Sequence, residues 1–222
     1  MKPKAWSFSA LDTFKNCPRQ YEAKYVSKTV QEEKSEQMLW GERVHKAFEL
    51  RQLDGTTLPA GLEQHEEYMQ KLEALPGIHN VEQKIALDRK RQPCNFFASD
   101  VWFRGIIDYI KVDSATAYLV DYKTGKPHQK MDQLMLFALH TFALYPDVNR
   151  VSVRFYWTQT LTETRAAYTR DESSALWAKF IPDLRQYAEA FKTDTWQPRQ
   201  SGLCNGWCPV KECEFWKARR NK

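Results

Sequence analysis

The apolar positions change period twice along the chain. In "SFSALDTFKNCPRQYEAKYV" (Ser7 to Val26), Leu11, Phe14, Tyr21 and Tyr25 recur at the spacing of a helix face, with Ser9 as a cap and Pro18 as a break, which predicts two short helical pieces. "EQMLWGERVHKAFELRQLDG" repeats the helical period through Leu39, Val44, Ala47, Phe48 and Leu50 and closes at Gly55. "PAGLEQHEEYMQKLEALPG" is a further helix, bounded by Pro59 and by Pro76 and Gly77. The period then shortens to two: "VEQKIALD", "FFASDVWFRGIIDYIKV" and "AYLVDYKTG" are alternating or apolar runs separated by turn residues, the mark of strands. "HQKMDQLMLFALHTFALYP" returns to a helix, "RVSVRFYWTQT" is a strand, and "ESSALWAKFIPDLRQYAEAFKTDTW" is a long helix ahead of a cysteine-rich tail. Helices, three strands, a helix, a strand and a helix predict an α/β fold with a mixed central sheet flanked by helices.

Three charges interrupt the strand pattern. Asp108 ends the strand "GIIDYI", and Asp121 and Lys123 stand in "VDYKTG", thirteen residues later across a turn at "DSATA". An ionised carboxylate buried without a partner costs several kcal/mol, so a hairpin that carries two of them needs a reason. Two hard oxygen ligands on neighbouring strands suit Mg²⁺ or Mn²⁺, which bind through one or two carboxylates plus substrate phosphate. Such a cation neutralises the pair and acidifies a coordinated water. Lys123, two residues after Asp121, points to the same side of its strand and can orient that water or stabilise negative charge on a phosphoryl group. The alternative for these residues is a salt bridge on a solvated hairpin face.

The chain has 222 residues, long enough for one domain with a sizeable core, and 33 basic against 28 acidic residues, a net charge of +5. That balance permits a polyanionic partner without requiring one. Lacking any long apolar run or signal-peptide core, the sequence reads as a soluble, cytoplasmic protein with no membrane partner. In that setting five cysteines are metal ligands or buried thiols rather than disulfides.

Six segments, "SFSALDTFKNCPRQYEAKYV", "GERVHKAFE", "GIIDYI", "VDYKTGK", "DQLMLFAL" and the terminal cysteines, taken in this order resemble the RecB-type nucleases of the PD-(D/E)XK superfamily, the group of the AddB C-terminal nuclease and the CRISPR-associated adaptation nucleases. The resemblance spans nearly the whole chain. It implies one nuclease domain over 1–222, with a restriction-endonuclease-like core. A helical part would cover 1–77, the sheet with the active site 78–160, and the last helix and cysteine tail 161–222.

The resemblance also implies roles. His45 becomes a metal ligand beside Asp108 and Asp121, Tyr122 offers its backbone carbonyl, and Lys123 is the catalytic lysine. Gln133 contacts the site and the DNA backbone, and Glu82 is a supporting acid on the first strand. Taken alone, His45 beside Val44, Ala47 and Phe48 could equally be a packed histidine, Gln133 a surface amide, and Glu82 a solvent-facing residue paired with Lys84 or Arg104. Gly41, one turn before His45, marks a close approach, because a mid-helix glycine costs about 1 kcal/mol relative to alanine.

Cys204, Cys208 and Cys213 crowd into "CNGWCPVKEC", a turn-rich setting that suits zinc or an iron-sulfur cluster once a fourth soft ligand joins. The resemblance supplies Cys17 as that ligand and implies a 4Fe-4S cluster, although the spacing here is C-x3-C-x4-C where relatives commonly show C-x2-C-x5-C. A structural Zn²⁺ is the alternative, and Cys94 has no partner in this scheme. Arg89, Lys90 and Arg91, with Lys126, Lys130 and the terminal "FWKARRNK", are candidate phosphate contacts.

The function these readings support is a metal-dependent DNA exonuclease acting on single strands or duplex ends in recombination, repair or phage DNA metabolism. Since "GxxxxGK[ST]" does not occur, unwinding would come from a helicase or recombination partner. The alternatives are a non-catalytic DNA-binding or assembly module of the same fold, a structure-specific endonuclease, and a zinc-stabilised enzyme of other chemistry.

Overall fold

Ten of the expected segments settle into helices or strands because each can bury apolar side chains, and the one strand the pattern missed lies at a sheet edge. The computed structural model describes residues 3–31 and 34–218, so Arg219 and Arg220 of the basic terminus, with the two residues after them, lie outside the described residues. Two compact units form, one from residues 34–177 and one from residues 1–33 with 178–222.

The larger unit is built on a five-stranded sheet in the order β1 (Ile78–Leu87), β2 (Phe103–Asp113), β3 (Thr116–Lys123), β4 (Arg150–Trp157), β5 (Thr162–Thr169). β1–β2, β2–β3 and β4–β5 pair antiparallel, whereas β3–β4 pair parallel. The parallel step requires a crossover, supplied by helix α5 (Asp132–Leu144). This is the mixed α/β architecture expected from the sequence.

Ser35 caps helix α3 (Glu36–Asp54) by accepting from the Met38 amide at 3.3 Å. The helix buries Val44, Phe48 and Gln52, positions four apart, against the sheet. With Met69 and Leu72 of α4 (Glu66–Glu73) and with Tyr109, Val120, Tyr122 and Tyr156 they form one apolar cluster. Each fully buried large side chain contributes roughly 2 kcal/mol. Residues 134 to 142 of α5 are all buried, as expected of a helix that is apolar on every side. Gly77, at the entry to β1, has φ +103°, and a Cβ there would sit 2.2 Å from the Val112 carbonyl oxygen, so no other residue fits.

Two elements differ from expectation. The strand read as "FFASDVWFRGIIDYIKV" begins only at Phe103, and it runs on through Asp113, which places Asp108 in mid-strand rather than at its end. β5 was not anticipated. Its sequence, "TETRAAYT", is polar because it pairs with β4 alone and leaves every residue but Thr164 at least partly exposed, so the alternation that signals a half-buried strand is missing.

The smaller unit contains α1 (Phe8–Asn16), α2 (Pro18–Tyr21), a π-helical turn (Glu22–Val26), the later turns of α6 (Ser173–Thr193) and the cysteine tail. Phe14, Tyr21, Tyr187, Phe191 and Trp196 form its aromatic core, with the Tyr21 and Tyr187 hydroxyls 2.6 Å apart. No helix among the described residues is long and apolar enough to cross a membrane.

Candidate active site

Strand register sets three carboxylates in a row across the sheet. Val81 pairs with Tyr109 and Gln83 with Ile107, so Glu82 stands opposite Asp108. On the other side Tyr109 pairs with Val120, and the next step of that register sets Asp108 against Asp121. The β-ladder is interrupted at this row: Glu82 has φ +50°, and the Tyr122 amide donates to the Asp108 side chain at 2.7 Å.

His45 arrives from α3. It lies one residue past Val44, at the edge of the buried stripe, with Nδ1 3.4 Å from Asp108 Oδ2 and its ring edge-on to Tyr122. His45, Glu82 and Asp108 each bring one ligand atom within 4.8 Å of the others. This is the set of three metal-ligating side chains that comes so close among the described residues. Asp121 falls outside it, and Glu82, expected only as a supporting acid, falls inside. Neither Lys84 nor Arg104 pairs with Glu82.

Asp121 belongs to a second, adjoining cluster. Gln133, near the start of α5, donates through Nε2 to Asp121 Oδ1 at 2.8 Å and accepts from Lys123 Nζ through Oε1 at 2.9 Å. Lys123 Nζ also lies 2.5 Å from Asp121 Oδ2. That oxygen is buried, with the Lys123 ammonium as its partner. Strand alternation produces the arrangement: Val120 and Tyr122 turn into the α3–α4 cluster, and Asp121 and Lys123 turn the other way. The Tyr122 hydroxyl donates to Gln52 inside the core at 3.0 Å, so only its main chain borders the acids.

The charges are mutually strained. Burial, with repulsion from Asp108, pushes the Asp121 carboxyl up to about 6 despite the attraction of Lys123. Burial and the Asp108 charge likewise raise Glu82. Burial alone would lower the His45 imidazole, but its hydrogen bond to Asp108 and the charges of Asp108 and Asp121 outweigh this and raise it. Clustered carboxylates and an imidazole held this way are the donor set a hard divalent cation satisfies.

The site opens through a cleft of roughly 710 Å³ lined by Met38, Gly41, His45, Glu82, Ile106, Asp108 and Thr124, among others. Gly41 lets α3 approach the segment after β3: a Cβ there would meet Thr124 Oγ1 at 3.1 Å. Ile106 and Thr124 had not been singled out from the sequence. Ile106 was within reach, since it lies two residues before Asp108 and therefore on the same side of β2. Lys126 and Lys130 are exposed in the segment between β3 and α5. Arg89, Lys90 and Arg91 are exposed in the turn after β1, where Asp88 accepts from the Lys90 and Gln92 amides, and Arg91 also lies over the Trp177 ring at 4.5 Å.

In the smaller unit Cys17, Cys204, Cys208 and Cys213 line one recess and form no disulfide. Main-chain amides of Arg199 and Ser201 donate to the sulfurs of Cys17 and Cys204, both at 3.4 Å. Burial, and then the neighbouring sulfurs, push the Cys208 thiol up. Cys94 lies apart, in the loop between β1 and β2.

Known proteins bear on this geometry. A solved structure of an Eubacterium rectale protein described as a "Putative exonuclease" is similar in fold, with TM-score 0.54 and 11% identity over 95% of this chain and 86% of that one. The crystal structure of SSO0001 aligns over 96% of this chain and 87% of its own at 13% identity, with TM-score 0.47. No curated protein matches the sequence. The profile of the PD-(D/E)XK nuclease superfamily matches residues 5–97 and 74–213, and with the Asp108, Asp121 and Lys123 arrangement on a mixed sheet between helices, the chain belongs to the PD-(D/E)XK nuclease superfamily.

Proposed function

We propose that the protein is a metal-dependent deoxyribonuclease of the RecB type, an exonuclease on single strands or duplex ends. The observation that carries this reading is the His45–Glu82–Asp108 triad lining an open cleft, with the Asp121–Lys123–Gln133 cluster adjoining it on the next strand. A divalent cation held by His45, Glu82 and Asp108, with Asp121 at its border, would supply Lewis-acid charge to the scissile phosphate and an acidified water. Lys123 then orients the attacking water and offsets negative charge developing on the phosphoryl oxygens. Gln133 fixes Lys123 and Asp121 relative to one another. Lys126 and Lys130 hold flanking phosphates without reading sequence. In the cell the enzyme works beside a helicase or a recombination protein that supplies free strands.

The four cysteines are read as ligands of a 4Fe-4S cluster. The recess lined by all four cysteines supports this reading, and the amide donors to the sulfurs of Cys17 and Cys204 are the kind that tune such clusters, with a structural zinc as the alternative.

Digestion of labelled single-stranded and duplex DNA with Mg²⁺ or Mn²⁺, with and without chelator, tests the reading. Asp108→Ala and Lys123→Ala should each lower cleavage at least a hundredfold while leaving DNA binding within a few-fold, because these residues act on the cation and the transition state. Cleavage by Lys123→Ala within tenfold of wild type would remove Lys123 from catalysis. No metal-dependent cleavage by wild type at all would favour the non-catalytic module.

A further inference from the structure

The connector between β1 and β2 and the strands beside it hold a group of side chains that the active site does not use. Phe97 is 76% exposed, with Phe96 edge-on beneath it at 5.2 Å. Lys84 Nζ lies 5.9 and 5.7 Å from the Phe96 and Phe97 rings, and the Arg104 guanidinium lies 5.6 Å from Phe96. Among the described residues neither cation forms an ion pair, and Arg104 Nε is buried without a hydrogen-bond partner. Two cations that protein carboxylates leave unmatched, framing an exposed ring, are suited to an anion that also offers a flat apolar face.

Register ties this group to the acidic site. Lys84 pairs with Ile106, and Ala86 with Arg104. Ile106 is 40% exposed and lines the cleft together with Glu82 and Asp108. Arg104, Ile106 and Asp108 are successive same-side positions of β2, so from Arg104 to Asp108 the strand covers about 13 Å, the length of a few nucleotides. Aromatic, cation, apolar residue and acid follow one another along this line, and Met38 of α3 faces it across the cleft.

We propose that single-stranded DNA lies along this line on its way into the acidic site, with phosphates on Lys84 and Arg104 and a base stacked on Phe97. Direction into the site rests on the nuclease reading above; the binding itself does not. A single strand is favoured over a duplex because a protruding ring needs an unpaired base to stack on, whereas a duplex presents only phosphates and groove edges to such a surface.

The test is binding of fluorescein-labelled oligo-dT and of a blunt duplex, by anisotropy in EDTA so that cleavage cannot intervene, over a range of salt. Phe97→Ala should weaken oligo-dT binding about tenfold and leave duplex binding and melting temperature unchanged. Lys84→Gln and Arg104→Gln should each reduce the salt slope by about 0.7, the value for one single-strand phosphate contact. Wild-type oligo-dT affinity in Phe97→Ala, with an unaltered salt slope in the two cation variants, would overturn the proposal. Equal weakening for duplex and oligo-dT would also overturn it, in favour of a nonspecific electrostatic face. Intact, Phe97-dependent oligo-dT binding without any cleavage by wild type would instead defeat the nuclease reading and leave the track standing.

Discussion

Glu82 holds φ at +50° inside β1, a conformation that costs a residue with a Cβ about 1–2 kcal/mol. The outlier coincides with the point where the ladder between β1 and β2 opens and two carboxylates face one another. Fold stability is thereby spent on presenting an acid to His45 and Asp108. Replacing Glu82 by glycine should give a protein about 1 kcal/mol more stable than the alanine variant, since both lose the carboxylate and only glycine accepts the backbone. Both variants should bind Mn²⁺ more weakly than wild type. Urea denaturation with a metal titration on the same samples checks this; equal stability of the two would show that the backbone there is unstrained.

Among the elements, α5 carries a group whose cost is set by its neighbours. His140 is fully buried, its Nδ1 against the Leu136 carbonyl and its ring stacked on Phe103 at 3.7 Å and edge-on to Trp177. Burial depresses its pKa to about 3. Because the folded value lies below the unfolded value of about 6.5, protons bind the unfolded chain more readily. His140 therefore leaves stability unchanged above about pH 6.5 and erodes it as pH falls toward 3, by up to about 1.4 kcal/mol per pH unit. His65, also lowered by burial, acts in the same direction. His140→Gln should flatten the decline between pH 6.5 and 4 by about one proton, read from urea midpoints across that range. A slope identical to wild type would mean the imidazole reaches solvent before the fold opens. At the other edge of the sheet, β5 is tied down by polar contacts: Glu163 pairs with Arg154 of β4 at 3.2 Å and accepts from Tyr68 of α4 at 2.6 Å.

At the scale of the whole molecule, a centre shared by Cys17 and the three later cysteines, as proposed above, would close a loop that includes most of the chain. Loop entropy grows with the logarithm of length, so a centre that binds all four thiols stabilises the folded chain as a whole and not merely the tail. Anaerobically prepared protein should be brown and contain about four irons per chain. Cys17→Ser should bleach it and lower the melting temperature by several degrees. Stoichiometric zinc without iron, from anaerobic preparation, would replace the cluster with a structural zinc site.

The periodicities of two and 3.6 were enough to predict the helices, four of the five strands and the mixed sheet, because those elements bury one face and the burden of burial is written in their side chains. "VDYKTG" showed in the same way that Asp121 and Lys123 share one side of a strand. The Lys123–Gln133–Asp121 bridge, the closeness of His45 to Asp108, and the membership of Glu82 rather than Asp121 in the tightest acidic triad depend on register and on where α3 and α5 dock. Those are sums of many weak contacts between residues far apart in sequence. β5 stayed hidden because an edge strand need not alternate, and the stripe of Phe97, Lys84 and Arg104 because residues drawn from two strands and a loop share no period. Local chemistry is legible wherever one residue's environment is set by its near neighbours; the distances that make a site are decided only when the strands have paired.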